Sequence, residues 1–196
     1  MLRKLYHWVL HWAYTPYGTP ALFILAFAES SFFPIPPDPL LMAMALSRPR
    51  RSFFYAGMTT IASILGGMLG YFIGAQLWKL TGDLFFSYIP GFTPQVFELV
   101  REKYQDNAFW AIFSAGFTPI PFKVFTIAAG VFKISWFDFI FGALLGRGLR
   151  FFIVAGLLYL CGPKIKVFIE RYFNLLSLIF LVLLIGGFIL VKHLAT

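Results

Sequence analysis

A proline cluster inside apolar sequence constrains this chain more than any other stretch. Residues 27–41 read Phe27-Ala28-Glu29-Ser30-Ser31-Phe32-Phe33-Pro34-Ile35-Pro36-Pro37-Asp38-Pro39-Leu40-Leu41, two carboxylates and four prolines within an apolar run from about 21 to 46. A proline in a helix interior costs roughly 3 kcal/mol, because it lacks the amide donor and clashes with the preceding turn. The residue before each proline is pushed towards extended backbone. The stretch therefore reads as helix, break, helix. In lipid, broken backbone survives only where protein or a water-filled cavity satisfies its polar groups. The break is expected to be a re-entrant element with a site at its tip, marked by Pro34, Pro36 and Pro37.

The pattern occurs twice. Phe113-Ser114-Ala115-Gly116-Phe117-Thr118-Pro119-Ile120-Pro121-Phe122-Lys123 repeats the apolar run and the Pro-Ile-Pro tip, then leads into a small-residue run ending at Gly130. The first copy carries Glu29 and Asp38; the second carries Lys123, with Pro119 and Pro121 at its tip. Interrupted apolar segments in corresponding halves point to a transporter-like site between inverted repeats.

Composition agrees with a membrane setting. The 196 residues are 60% hydrophobic and only 12% charged, where a soluble domain has roughly 25% charged residues. Mean hydropathy is +0.81. The class expected is an all-α polytopic membrane protein forming a single membrane domain over 1–196. The net charge of +8 speaks to orientation and anionic lipid; no compact basic run indicates nucleic acid. Cys161 is the only cysteine, which excludes an intramolecular disulfide. No small-residue cleavage site follows Arg3 and Lys4, so the spanning segments themselves are expected to drive insertion.

Along the chain, residues 1–14 are expected as an interfacial helix, with Trp8 and Trp12 on one face and Arg3, Lys4, His7 and His11 on another. Hairpin 1 covers 21–46. A spanning helix covers 53–80, with Gly82 as its cap and the stripe Gly66-x-x-x-Gly70-x-x-x-Gly74 inviting close helix approach. That stripe suits either internal packing or a homodimer. Thr93 and Pro94 suit N-cap and N1 of an interfacial helix over 93–105. Hairpin 2 covers 108–132. Spanning helices follow over 136–161, opened by a Ser135-x-x-Asp138 capping box, and over 174–191. Arg3, Lys4, Arg48, Arg50, Arg51, Lys164, Lys166 and Arg171 fall on one side, Lys79, Arg101, Lys103, Lys133 and Lys192 on the other. The excess predicts a cytoplasmic N-terminus.

Glu29, Asp38, Lys123, Arg147 and Arg150 remain at or near membrane depth. Each charge at a helix centre costs about 2.5–3.5 kcal/mol on insertion scales, so such residues are functional candidates. Arg147 and Arg150 share a helix face at i, i+3. They and Lys123 would bind an anionic group or balance the acids, and half-helix N-termini at the breaks would add partial positive charge. A carboxylate desolvated in such a cavity takes up protons more readily than one in water, which makes Glu29 and Asp38 the candidates for proton coupling. Zinc-protease and nucleophile-elbow motifs are absent. An enzyme is not expected, and neither catalytic residues, a metal nor a cofactor is assigned. A non-transporting membrane scaffold is the rival reading.

Glu29 with Pro34-Ile35-Pro36-Pro37-Asp38-Pro39, the later Gly116-Phe117-Thr118-Pro119-Ile120-Pro121-Phe122-Lys123 and the helix bearing Gly146-Arg147 together resemble the bacterial DedA family, also called the VTT or SNARE-associated-domain family, and its YqaA-like branch most. The resemblance covers about residues 20–160. It implies two opposed re-entrant hairpins, a multi-pass inner-membrane location and proton-linked movement of lipids between leaflets by a flippase or scramblase, polyprenyl phosphates in some members and phospholipids in others. Glu29 and Asp38 match the acidic positions of the family's first hairpin. The second hairpin usually carries two arginines around its proline. Here the first has no basic counterpart and Lys123 stands near the second, a departure that weakens the case for a polyprenyl phosphate and for phosphate in general. A small solute or ion is the alternative cargo.

Overall fold

The computed structural model describes residues 17–88, 93–118 and 120–162, with the side chains of 81–88 left out. The expected interfacial helix 1–14, the expected span 174–191 and Pro119 lie outside the described residues. Within them the chain forms seven helices and no strand: α1 Gly18–Ser31, α2 Asp38–Ser47, α3 Ser52–Tyr88, α4 Pro94–Asp106, α5 Ala108–Phe117, α6 Phe122–Val131 and α7 Trp136–Gly162. A 3-10 turn, Pro49–Arg51, joins α2 to α3.

The helix ends follow local chemistry. α1 stops at Ser31, three residues before Pro34, and α2 restarts at Asp38 with Pro39 in its first turn. α5 gives way at the extended Thr118, and α6 restarts after Pro121. Thr93 caps α4, its hydroxyl accepting from the Val96 amide at 3.3 Å. α3 continues past Gly82 to Tyr88. A helical glycine costs only about 1 kcal/mol, and Gly82 does not end the helix.

Two helices are long and apolar enough to cross a membrane, Pro49–Leu80 with 32 residues and Trp136–Gly162 with 27. At 1.5 Å per residue they measure about 48 and 40 Å, against a hydrocarbon core of roughly 30 Å. They run antiparallel. Tyr55 and Ala56 share a buried cluster with Phe151 and Ala155, together with Leu22, Leu41 and Met44 of α1 and α2. Tyr71 shares a second with Phe139 and Ala143, together with Ile112, Phe122 and Ala129 of α5 and α6. Each proline-broken helix pair thus packs at one end of the α3–α7 pair.

The stripe on α3 is used inside this chain. A Cβ on Gly66 would overlap the Phe27 carbonyl of α1, and one on Gly74 the Ile127 carbonyl of α6. Gly70 lies between them, against Thr126 and the Ser30 carbonyl. Only glycine lets both broken helices lie backbone-close on one face of α3. At the far end α4 is tied to the end of α6. The Tyr104 hydroxyl donates to the Phe125 carbonyl at 3.0 Å and the Gln105 amide to the Phe132 carbonyl at 2.9 Å. Burial pushes the Tyr104 phenol above its usual range.

Candidate functional site

Between the two apolar clusters lies a layer of charge. Ser63 sits near the middle of Pro49–Leu80, and Arg147 and Arg150 near the middle of Trp136–Gly162. The layer is therefore at mid-height of both long helices.

Arg147 is 2% exposed. Its Nη2 donates to Glu29 Oε2 and, at 3.2 Å, to Ser30 Oγ. Its Nε donates to Ser63 Oγ at 2.6 Å. The guanidinium also stands over the rings of Phe122 and Phe151, 5.0 and 4.8 Å from their centroids, a cation–π contact strengthened by desolvation. Ser30 and Ser63 are both buried, and their oxygens are 2.6 Å apart. Ser30 Oγ is also 3.3 Å from Glu29 Oε2.

Arg150 is the second anchor. Its Nε and Nη2 donate to Asp38 Oδ1 at 3.1 and 2.8 Å, and its Nη1 donates to the Thr118 carbonyl at 2.8 Å. It thereby joins the start of α2 to the end of α5. Lys123, the second residue of α6, donates from Nζ to the Phe33 carbonyl at 3.3 Å. The Thr126 hydroxyl, one turn on, donates to the Ser30 carbonyl at 3.0 Å. The two breaks accordingly face each other across Arg150 and Lys123.

The five charged residues singled out in the sequence come together here, with Glu29 on Arg147 and Asp38 on Arg150. Lys123 has no acidic partner among the described residues, so the layer carries two acids against three bases. Pro34, Pro36 and Pro121 are exposed at the breaks, while Pro37 is buried beneath α2. Exposed Phe32, Phe33, Ile35, Phe117 and Ile120 flank them.

Sequence reasoning missed Ser30, Ser63 and Thr126. A serine or threonine in an apolar helix commonly bonds the carbonyl one turn back, as Thr59 does to Tyr55 and Thr60 to Ala56 at 2.7 and 2.8 Å. Ser63 stands one turn beyond Thr59 on the glycine-lined side of α3, and nothing in its spacing reveals that it bonds across the helices instead.

A sequence model of the VTT domain matches residues 35–160. An uncharacterized protein of Haemophilus influenzae is 30% identical over 189 residues, covering 96% of this chain and 97% of the relative. An uncharacterized HI0703 homolog of Histophilus somni is 32% identical over 161 residues, covering 82% of each chain. No solved structure matches at a significant level.

Proposed function

The chain belongs to the VTT-domain family, also called DedA, and from that membership we propose that it is a proton-linked lipid transporter, a flippase or scramblase moving an anionic or zwitterionic lipid between leaflets of the bacterial inner membrane. In this reading α1–α2 and α5–α6 are re-entrant hairpins. They enter from opposite faces as inverted repeats and meet at mid-membrane, with the N-terminus cytoplasmic. The observation that carries the proposal is the charge layer, in which Arg147 and Arg150 of one long helix pair with Glu29 and Asp38 of the first hairpin where both breaks converge. Membrane ion pathways gather ionisable side chains at such depths, and transporter sites gather broken helices there.

Proton uptake by Glu29 or Asp38 would remove the negative half of a pair and free the hairpin from α7. Lys123 supplies the charge left over, and its ammonium is the group we assign to a phosphate or carboxylate of the lipid. Its compact charge suits a monodentate anion contact. The arginines balance the acids. A small solute or ion bearing the same anionic group is the alternative cargo.

A second reading, a membrane scaffold without transport, draws on the same pairs, since each acid already has its arginine. Lipid movement in proteoliposomes separates the two. Labelled phospholipids and a polyprenyl phosphate would be followed with and without a pH gradient, with Glu29→Gln as control. Movement that needs Glu29 and follows the gradient is the expected result. Movement indifferent to the gradient identifies a scramblase. No movement of any lipid by folded protein would overturn the lipid reading.

A further inference from the structure

Neutralising Glu29 would not leave Arg147 without a partner. Its Nε–H bond to Ser63 joins α7 to α3, the two long helices, and does not pass through the first hairpin. Hydroxyl geometry fixes the direction of the network. Ser63 Oγ accepts from Arg147, so its own hydrogen must go elsewhere, and the oxygen within reach is Ser30 Oγ at 2.6 Å. Ser30 then accepts from Ser63 and from Arg147 Nη2, leaving its hydrogen for Glu29 Oε2. A single arrangement, Arg147 to Ser63 to Ser30 to Glu29, gives both hydroxyl hydrogens an acceptor.

We propose that Ser63 is a positioning residue that holds the Arg147 guanidinium in the centre of the α3–α7 pair when Glu29 is protonated. The proposal rests on the proton-linked reading of Glu29. A buried guanidinium stripped of its carboxylate must be solvated by something, and desolvation without a partner is strongly unfavourable. Ser63 supplies an acceptor from the long helix α3, which contributes to both apolar clusters and carries no part of the proton-binding pair. The charged groups around Glu29 are Arg147 from α7, the Arg150–Asp38 pair, and Lys123 of α6, whose Nζ reaches the Phe33 carbonyl, and among the described residues Glu29 is the only acid bonded to the Arg147 guanidinium. Thr59 and Thr60 donate to carbonyls of their own helix, and Ser63 is the α3 hydroxyl that the Arg147 Nε–H meets.

The test is a double-mutant cycle on the full chain in nanodiscs, read by thermal unfolding. Glu29→Gln mimics the protonated acid and Ser63→Ala removes the acceptor. Each alone should lower Tm, Glu29→Gln the more because it removes the counter-charge, while Arg147 keeps one acceptor in either single variant. Together they should lower Tm beyond the sum by at least about 3 °C. A double variant that cannot fold while both singles melt cooperatively is that result at its limit. Ser63→Thr, which keeps the hydroxyl, should remove the excess loss in the Glu29→Gln background. Simple additivity of the two substitutions overturns the proposal. The cycle needs no transport, so a failure of lipid movement would count against the functional reading alone.

Discussion

Arg147 is tied to three elements at once: Glu29 and Ser30 of α1, Ser63 of α3 and the rings of Phe122 in α6 and Phe151 in its own helix. Removing one half of such a buried pair typically costs about 3–5 kcal/mol, because the other charge stays buried without compensation. Arg147→Leu should therefore lower Tm sharply. Exchanging both partners, Glu29→Leu with Arg147→Met, should recover most of that loss while abolishing gradient-dependent lipid movement. Recovery of both stability and movement would argue that the pair is only a brace. Lys123→Met, which removes the unpaired cation, should leave Tm nearly unchanged and reduce movement of anionic lipids more than zwitterionic ones in the same vesicles.

At the scale of elements, α3 works as a flat bed for two broken helices. Gly74→Ala would drive a methyl into the Ile127 carbonyl, and overpacking of this kind costs about 1–3 kcal/mol. Gly148 on α7 is the control, because a Cβ there meets Thr60 Cγ2 at 3.6 Å, an ordinary contact. Gly148→Ala should be neutral or stabilising, and Gly74→Ala should shorten the half-life of the folded protein in detergent at elevated temperature. Equal behaviour of the two would mean that α1 and α6 are not seated on α3 as described. The broken helices were legible from their prolines, as was the small-residue face of α3. What that face receives was not, because a stripe of glycines is compatible with any close helix, and only the packed chain selects α1 and α6 from the same molecule.

Across the whole molecule, the turn Pro49–Arg51 and the end of α7 lie together. A Cβ on Gly162 would stand 3.8 Å from Leu46 Cδ2, at the end of α2. α4, with Glu98 and Lys103, packs by Tyr104 and Gln105 at the end belonging to α5 and α6. If α3 and α7 span the membrane, a cysteine placed at Arg50 in a Cys161→Ser background should react with a membrane-impermeant maleimide from the same side as the native Cys161. A cysteine at Lys103 should react from the other. In right-side-out cells the proposed orientation exposes Lys103 and protects Arg50; labelling of both from one side would refute two opposed hairpins.

The sequence by itself determined where the helices break and which charges lie at depth. Proline geometry is local, and a charge set in an apolar run is legible before its partner is known. It also carried the resemblance to the DedA family, which the VTT-domain match over 35–160 bears out. The pairing of Glu29 with Arg147 and of Asp38 with Arg150 was decided only by tertiary structure, because each pair joins residues far apart in the chain and brought together by the antiparallel approach of α3 and α7. The role of Ser63 was likewise invisible. A serine in an apolar helix can turn to its own backbone or across to a neighbour, and the choice belongs to whatever charge the fold places opposite it.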